Sequence, residues 1–329
     1  MPVEGYLLGT HRDVPKVVPQ LTALSNTAFA EYDGAMPVED AFTRWYLKRP
    51  GSRPELCPAA LYEGKLVANV LVAIEDLYLG GDLLRCGIVD TVATHPDHRK
   101  HGLARALMDD AHRLMQEAGA EAAVLYTNPD GHPYRFYQRL GYLPQAMGAA
   151  LSCRRPAGQP TRKVDEATAA EEGAVRALLD DYYRGCGGYA PMVEDLWRWH
   201  RRERPVEMPI QLAVVRSAAG LPVAALALAE VELLLEGNPV PASVMSDFAC
   251  APGEDPQECL QALLSAAPTE EVLAIVDVTS PEHALLQGLG AQTAVREASL
   301  ALPFTDRAHE ALASTSRHWY FMIESLVGV

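Results

Sequence analysis

The sequence predicts an α/β (α+β) protein made of two like domains, each a mixed, mostly antiparallel twisted sheet flanked by helices. Three observations carry this reading. The chain has 329 residues, which at roughly 100–200 residues per domain suggests two. Its second half reads as a diverged copy of its first. Within each half, antiparallel hairpin patterns are followed by strand–helix–strand crossovers, the mark of a mixed sheet covered by helices.

The repeat is anchored by Val38–Pro50 against Val193–Pro205, where five of 13 positions are identical and both segments carry Trp. One residue further in offset, Gly64, Val67 and Ala68 match Gly220, Val223 and Ala224, and Ala93 and Pro96 match Ala249 and Pro252. A period near 155 is too long for a solenoid and implies duplication of a whole domain. A short strand leads each half into helices at about Pro15–Phe29 and Val38–Leu47, or Ala169–Tyr183 and Val193–Arg201. Hairpin turns fall at Glu63–Lys65 and Ala218–Gly220, where Gly punctuates the apolar runs. Strands are expected at Cys86–Thr94 and Val244–Cys250, each followed by a helix, a short strand (Ala122–Tyr126; Val272–Val276), a further helix and terminal strands. The Pro- and Gly-rich stretch Arg154–Thr161 lacks apolar periodicity and reads as the link. The division is thus residues 1–155, a linker at 156–161, and 162–329.

Charge is split unevenly. The net −15 divides into 16 basic and 18 acidic residues over 1–158, against 12 and 25 over 159–329. This balance argues against general attraction to nucleic acid or an anionic membrane. No apolar run approaches a membrane span, and the N-terminus lacks a signal-peptide pattern. Six scattered cysteines without C-x-x-C spacing read as buried thiols, so a cytoplasmic location is expected.

Chemistry concentrates in Gly87–Ala104. The β-branched residues Ile88, Val89, Val92 and Thr94 describe a buried strand, and His95–His101 leaves it as a polar loop. Gly102 then opens a helix whose apolar positions Leu103, Leu107, Ala111 and Leu114 recur at helical spacing. Strand, basic glycine-bearing loop and helix N-terminus can form an anion site, because unpaired N–H groups and the positive dipole end converge there. An ordinary turn with a solvated basic face is the alternative. His95, His98 and His101 stand three apart, but Pro96 places them on a loop, which favours a solvated basic loop over a metal site.

The segment Arg99-x-x-Gly102-x-Ala104, with Pro96 upstream, resembles the acetyl-CoA pyrophosphate loop of the GNAT superfamily of N-acyltransferases. Tyr134-Arg-Phe-Tyr-Gln-Arg-Leu-Gly-Tyr142 is similar to that family's second signature. The resemblance covers residues 3–155. The tandem arrangement also resembles the enhanced intracellular survival acetyltransferases, without room for their extra C-terminal lipid-carrier-like domain.

The resemblance implies that main-chain groups of Val92, Ala93 and Thr94 hold the acetyl carbonyl and pantetheine arm. Backbone N–H groups of Arg99, Lys100, His101, Gly102, Leu103 and Ala104 would hold the pyrophosphate, and Asn128 would lie near the cofactor. Tyr137 would protonate the leaving thiolate; a core aromatic is its other reading. Asp90 shares a strand face with Val92 and is the candidate base, although the family often has Glu one step earlier, where this chain has Ile88. Asp90 is equally readable as a structural hydrogen-bonder, and Glu39, Asp40 and the carboxylate of Val329 are weaker candidates.

In the second half, sequence alignment puts Asp255, Glu258 and Leu260 at the places of Arg99, Gly102 and Ala104, and Leu286 at that of Tyr137. That half is expected to be non-catalytic. Its Trp197 and Trp199, and the run His318–Met322, read as core or as lining the interface. The expected function is acetyl-CoA-dependent N-acetylation of a small, cationic primary amine, with acetyl-CoA as co-substrate and no metal. Neither nucleic acid nor membrane is an expected partner, and oligomerisation is left open. A non-catalytic acyl-CoA-binding or regulatory module is the alternative.

Overall fold

A computed structural model describes residues 3–30, 37–158, 160–206, 208–235, 238–314 and 317–321. The first half runs β1 (Leu7–Thr10), α1 (Val17–Phe29), α2 (Asp40–Tyr46), β2 (Pro58–Tyr62), β3 (Lys65–Leu79), β4 (Asp82–Thr94), α3 (Leu103–Glu117), β5 (Ala122–Thr127), α4 (His132–Arg139) and β6 (Leu143–Arg154). The second begins β7 (Val164–Glu166), α5 (Glu172–Tyr182), β8 (Cys186–Gly187), α6 (Glu194–Arg201) and β9 (Ile210–Arg216). It continues with β10 (Pro222–Leu235), β11 (Asn238–Cys250), α7 (Pro256–Leu264), β12 (Glu271–Asp277), α8 (Pro281–Gly288) and β13 (Gln292–Pro303), then adds α9 (Asp306–Ala313) and β14 (Arg317–Trp319).

The two halves share one 12-stranded sheet, in the order β1-β2-β3-β4-β5-β13-β6-β12-β11-β10-β9-β7. Within it only β4–β5 and β11–β12 are parallel pairs. The terminal strands are exchanged. β13 pairs with β5 (Ala298↔Thr127 to Pro303↔Ala122), β6 pairs with β12 (Glu271↔Arg154 to Asp277↔Gly148), and the two exchanged strands pair with each other. Sequence patterning gives each half a terminal strand; the fold hands that strand to the other half. Each half therefore satisfies backbone groups of its partner, and neither can lose its last strand without exposing an edge in the other.

A second set of reciprocal contacts lies between α2 and α6. The rings of Trp45 and Trp199 stack at 4.6 Å and 10°. Trp45 Nε1 donates to the Trp199 carbonyl at 3.0 Å, and Trp199 Nε1 donates to that of Trp45 at 2.9 Å. Arg49 lies over the Trp199 ring and Arg204 over the Trp45 ring. Such mutual pairing is the signature of a two-fold interface, here within one chain. Trp199 is thus at the junction. Trp197 is core within its own half, its Nε1 donating to Glu172 at 3.1 Å.

Helix α3 buries Leu103, Ala106, Leu107, Met108, Ala111 and Met115. The face places His112 against Tyr142, whose hydroxyl is 3.0 Å from His112 Nε2. Burial pushes the His112 pKa down from 6.5 to about 4. The native state therefore resists protonation that the unfolded chain accepts. The associated stability is whole above pH 6.5 and is lost as pH falls toward 4, on the order of 3 kcal/mol in all. Urea midpoints measured across this window should fall with pH, and His112→Gln should flatten that dependence. The six cysteines are buried and none is in a disulfide. No helix among the described residues is long and apolar enough to cross a membrane.

Candidate active site

Strands β4 and β5 pair only at Cys86↔Ala122, Gly87↔Ala123 and Ile88↔Val124, then part. At the parting β4 carries a bulge. Asn69 faces Ala93 and Leu71 faces Asp90, so one residue of β3 opposes Thr91 and Val92 together. Thr91 takes a positive φ of 44°, a conformation that needs support in a β-branched residue. Asp90 supplies it: its Oδ1 accepts from the Thr91 N–H at 2.6 Å and the Thr91 hydroxyl at 3.2 Å. From the other side, Asn69 Nδ2 donates to the Thr91 carbonyl at 3.0 Å, while Asn69 Oδ1 accepts from His11 Nε2. His11 and Asn69 are both buried. Burial lowers the His11 pKa, which keeps the ring neutral.

Sequence reasoning missed His11 and Asn69. The available signal was a lone amide in the apolar run Leu66–Ile74, since a buried amide without partners would be costly. The same bulge recurs in the second half, where Ala225 faces Ala249, Ala227 faces Ser246, and Asp247 has φ 55°.

Beyond the bulge, His95 N–H donates to Val67 on β3 at 2.8 Å. Alternation then turns the main-chain groups of Thr94 and Val92 toward the parted side, with Ala93 directed at β3. A turn of 3₁₀ helix at Pro96–His98 follows, and Lys100 and Gly102 take φ of 68° and 80°. Gly102 is the natural residue for that left-handed position. It precedes α3, to which no side chain supplies a cap, so the helix's first N–H groups face the loop. Arg99 is turned away: its guanidinium donates to the carbonyls of Thr94 (3.3 Å) and Ala28 (3.1 Å), tying the loop to the end of α1. Lys100 and His101 are exposed, Leu103 is buried and Ala104 half-buried. His98 Nδ1 lies 3.0 Å from the Tyr6 hydroxyl and its ring packs on Tyr62, which joins this histidine to an aromatic cluster.

Tyr137 lies on α4, buried with Val89 of β4 and Leu125 of β5, and Val92 packs on the same cluster. Its ring meets Phe136 and Tyr142 edge-on at 5.3 and 5.9 Å. Val92 and Tyr137 thus pack on one face of the parted strands, but Asp90 does not join them. It stands opposite Leu71 and in step with Ile88, on the other face, because the bulge at Thr91 and Val92 breaks the alternation expected from the sequence. Asn128 is exposed and its Oδ1 accepts from Asp130 N–H at 2.8 Å, an Asx turn leading into α4. Glu39 precedes α2 and is exposed, and Asp40 opens that helix half-buried. Val329 lies outside the described residues.

The second cleft is built alike but differently filled. β11 and β12 pair only at Ser243↔Val272 and Val244↔Leu273 before parting. Into the gap come residues 318–321: Trp319 N–H donates to Asp277 at 2.6 Å and the Tyr320 hydroxyl to Asp247. Helix α7 is capped by Asp255, whose Oδ1 accepts from Gln257 and Glu258 N–H at 2.9 and 3.2 Å. This corrects the sequence alignment. The loop is three residues shorter than its counterpart, so Asp255 occupies the place of Gly102, not of Arg99. A carboxylate already sits where an anion would bind.

Residues 15–144 match the acetyltransferase (GNAT) domain family. That stretch is similar to GNAT domains. Domains of this family belong with acyl-CoA N-acyltransferases. The whole fold is similar to N-myristoyltransferase of Saccharomyces cerevisiae, solved with bound myristoyl-CoA: TM-score 0.73 and 13% identity, covering 92% of this chain and 80% of that one. It is also similar to a GCN5-related N-acetyltransferase from Anabaena variabilis: TM-score 0.65 and 13% identity, covering 90% of this chain and 72% of that one. No curated protein matches the sequence.

Proposed function

We propose that the first half is an acetyl-CoA-dependent N-acetyltransferase acting on a primary amine of a small, cationic acceptor, and that the second half is a non-catalytic partner domain. The observation that carries the reading is the uncapped N-terminus of α3 beside the parted strands β4 and β5, against which Tyr137 of α4 is packed. The N–H groups from Arg99 to Ala104 suit a pyrophosphate, which needs donors and a positive dipole end rather than a salt bridge. Val92, Ala93 and Thr94 would offer strand-like backbone to the pantetheine arm, and Asn128, which follows β5, would lie near the cofactor.

In the reaction, Asp90 accepts a proton from the acceptor ammonium, directly or through water, and the freed amine attacks the thioester carbonyl carbon. The oxyanion so formed is held by the Val92 N–H. Collapse breaks the carbon–sulfur bond, and Tyr137 gives its proton to the departing thiolate. The second proton, shed by the amide nitrogen, restores the phenol directly or through water, and Asp90 releases its proton to solvent. Amide, free thiol and one proton result, with no covalent enzyme intermediate.

The closed second cleft supports assigning turnover to the first half alone. The net −13 of residues 159–329 supports a cationic acceptor through long-range attraction. Thiol release from acetyl-CoA across a panel of amines tests the reading. Acceptor-dependent release, fastest with cationic primary amines, is the expected result. Cofactor binding without acceptor-dependent release would instead indicate a binding module.

A further inference from the structure

The Thr91 carbonyl and the Val92 N–H belong to one peptide unit, and in a planar trans unit they point in opposite directions. Asn69 Nδ2 donates to that carbonyl at 3.0 Å, which directs the Val92 N–H away from β3, toward the side from which β5 parts. Asn69 is itself held, because its Oδ1 accepts from His11 Nε2. The opposite setting of the amide would put Oδ1 against the Thr91 carbonyl, acceptor on acceptor. The proton on His11 Nε2 therefore fixes which way Asn69 faces. A hydrogen bond taken by the carbonyl also polarises the unit and strengthens its N–H as a donor.

The second half shows that the bulge does not need this pair. Asp247 keeps a φ of 55° there, yet Ala225 stands at the place of Asn69, facing Ala249 as Asn69 faces Ala93. Ala167 stands at the place of His11. Its N–H donates to Leu212 at 2.8 Å, just as the His11 N–H donates to Cys57 at 3.0 Å, each one step past its edge strand. Burying an amide and an imidazole costs desolvation that two alanines avoid. We infer, resting on the proposed reading of the first cleft, that His11 and Asn69 are positioning residues. They aim the Val92 N–H at the thioester carbonyl of bound acetyl-CoA and touch no reacting atom themselves.

Infrared difference spectroscopy of the full chain with acetyl-CoA, isotopically labelled at the thioester carbonyl, reads that hydrogen bond without turnover. The bound carbonyl should absorb below its free frequency in the wild type and move back toward it in Asn69→Ala. With an amine that is acetylated, kcat should fall about 10- to 100-fold in Asn69→Ala, while the Kd for CoA, which lacks the carbonyl, stays within about twofold. His11→Gln, which keeps an N–H donor for Asn69, should retain the wild-type band, and His11→Ala should lose it. A displaced band that depends on Asn69, without transfer to any amine, supports the positioning and removes the transferase reading alone. Turnover with the band and kcat unchanged in Asn69→Ala overturns the positioning and leaves that reading intact. An undisplaced band in the wild type overturns it as well. Should Asn69→Ala not fold, as judged by circular dichroism, the His11 variants decide: equal bands in His11→Gln and His11→Ala overturn it.

Discussion

Tyr137→Phe is expected to lower kcat for acetyl transfer by about 10²- to 10⁴-fold while leaving the Kd for acetyl-CoA within about threefold of wild type. The substitution keeps the ring that packs among Val89, Leu125 and Tyr142 and removes only the hydroxyl. Stability should therefore hold while the thiolate loses its proton donor. Stopped-flow thiol detection supplies kcat, and calorimetry supplies the affinity. An unchanged kcat would reduce Tyr137 to the packing role that its buried position also allows.

Trp199→Ala is expected to destabilise the whole molecule by about 3–5 kcal/mol, and Trp45→Ala by a similar amount. Each loses a buried ring and leaves the partner's main-chain carbonyl without its indole donor, while the partner's own indole still reaches the main-chain carbonyl that Ala retains. Because the two rings form one contact, the double variant should cost less than the summed singles by more than about 1 kcal/mol. Chemical denaturation followed by fluorescence and by circular dichroism would provide the values. Additivity to within about 0.5 kcal/mol would contradict the shared contact. A single transition is expected throughout, since β6 and β13 each complete the sheet of the opposite half.

Much of this was legible in the sequence. The β-branched run into Thr94, the Gly102 helix start and the repeat register are local patterns, and local patterns survive without knowledge of tertiary neighbours. The exchange of β6 and β13 was not legible. Both segments read as terminal strands, and backbone pairing does not depend on which half supplies the neighbour. The place of Asp255 was misread because Pro96 and Pro252 align while the loops behind them differ in length. The pair Asp255–Pro256 is itself a helix-start signal and would have set the register. The bulge support from His11 and Asn69 joins residues 58 apart, a distance over which spacing says nothing.

The central claim is that one cleft of two binds acyl-CoA, and that an uncapped helix N-terminus decides which. Calorimetric titration of the full chain with CoA tests it, using wild type and Gly102→Asp, which places in the first half the carboxylate that caps the second. One CoA per chain for the wild type, and binding abolished in Gly102→Asp, is the predicted result. Two CoA per chain, or undiminished binding to Gly102→Asp, would contradict it.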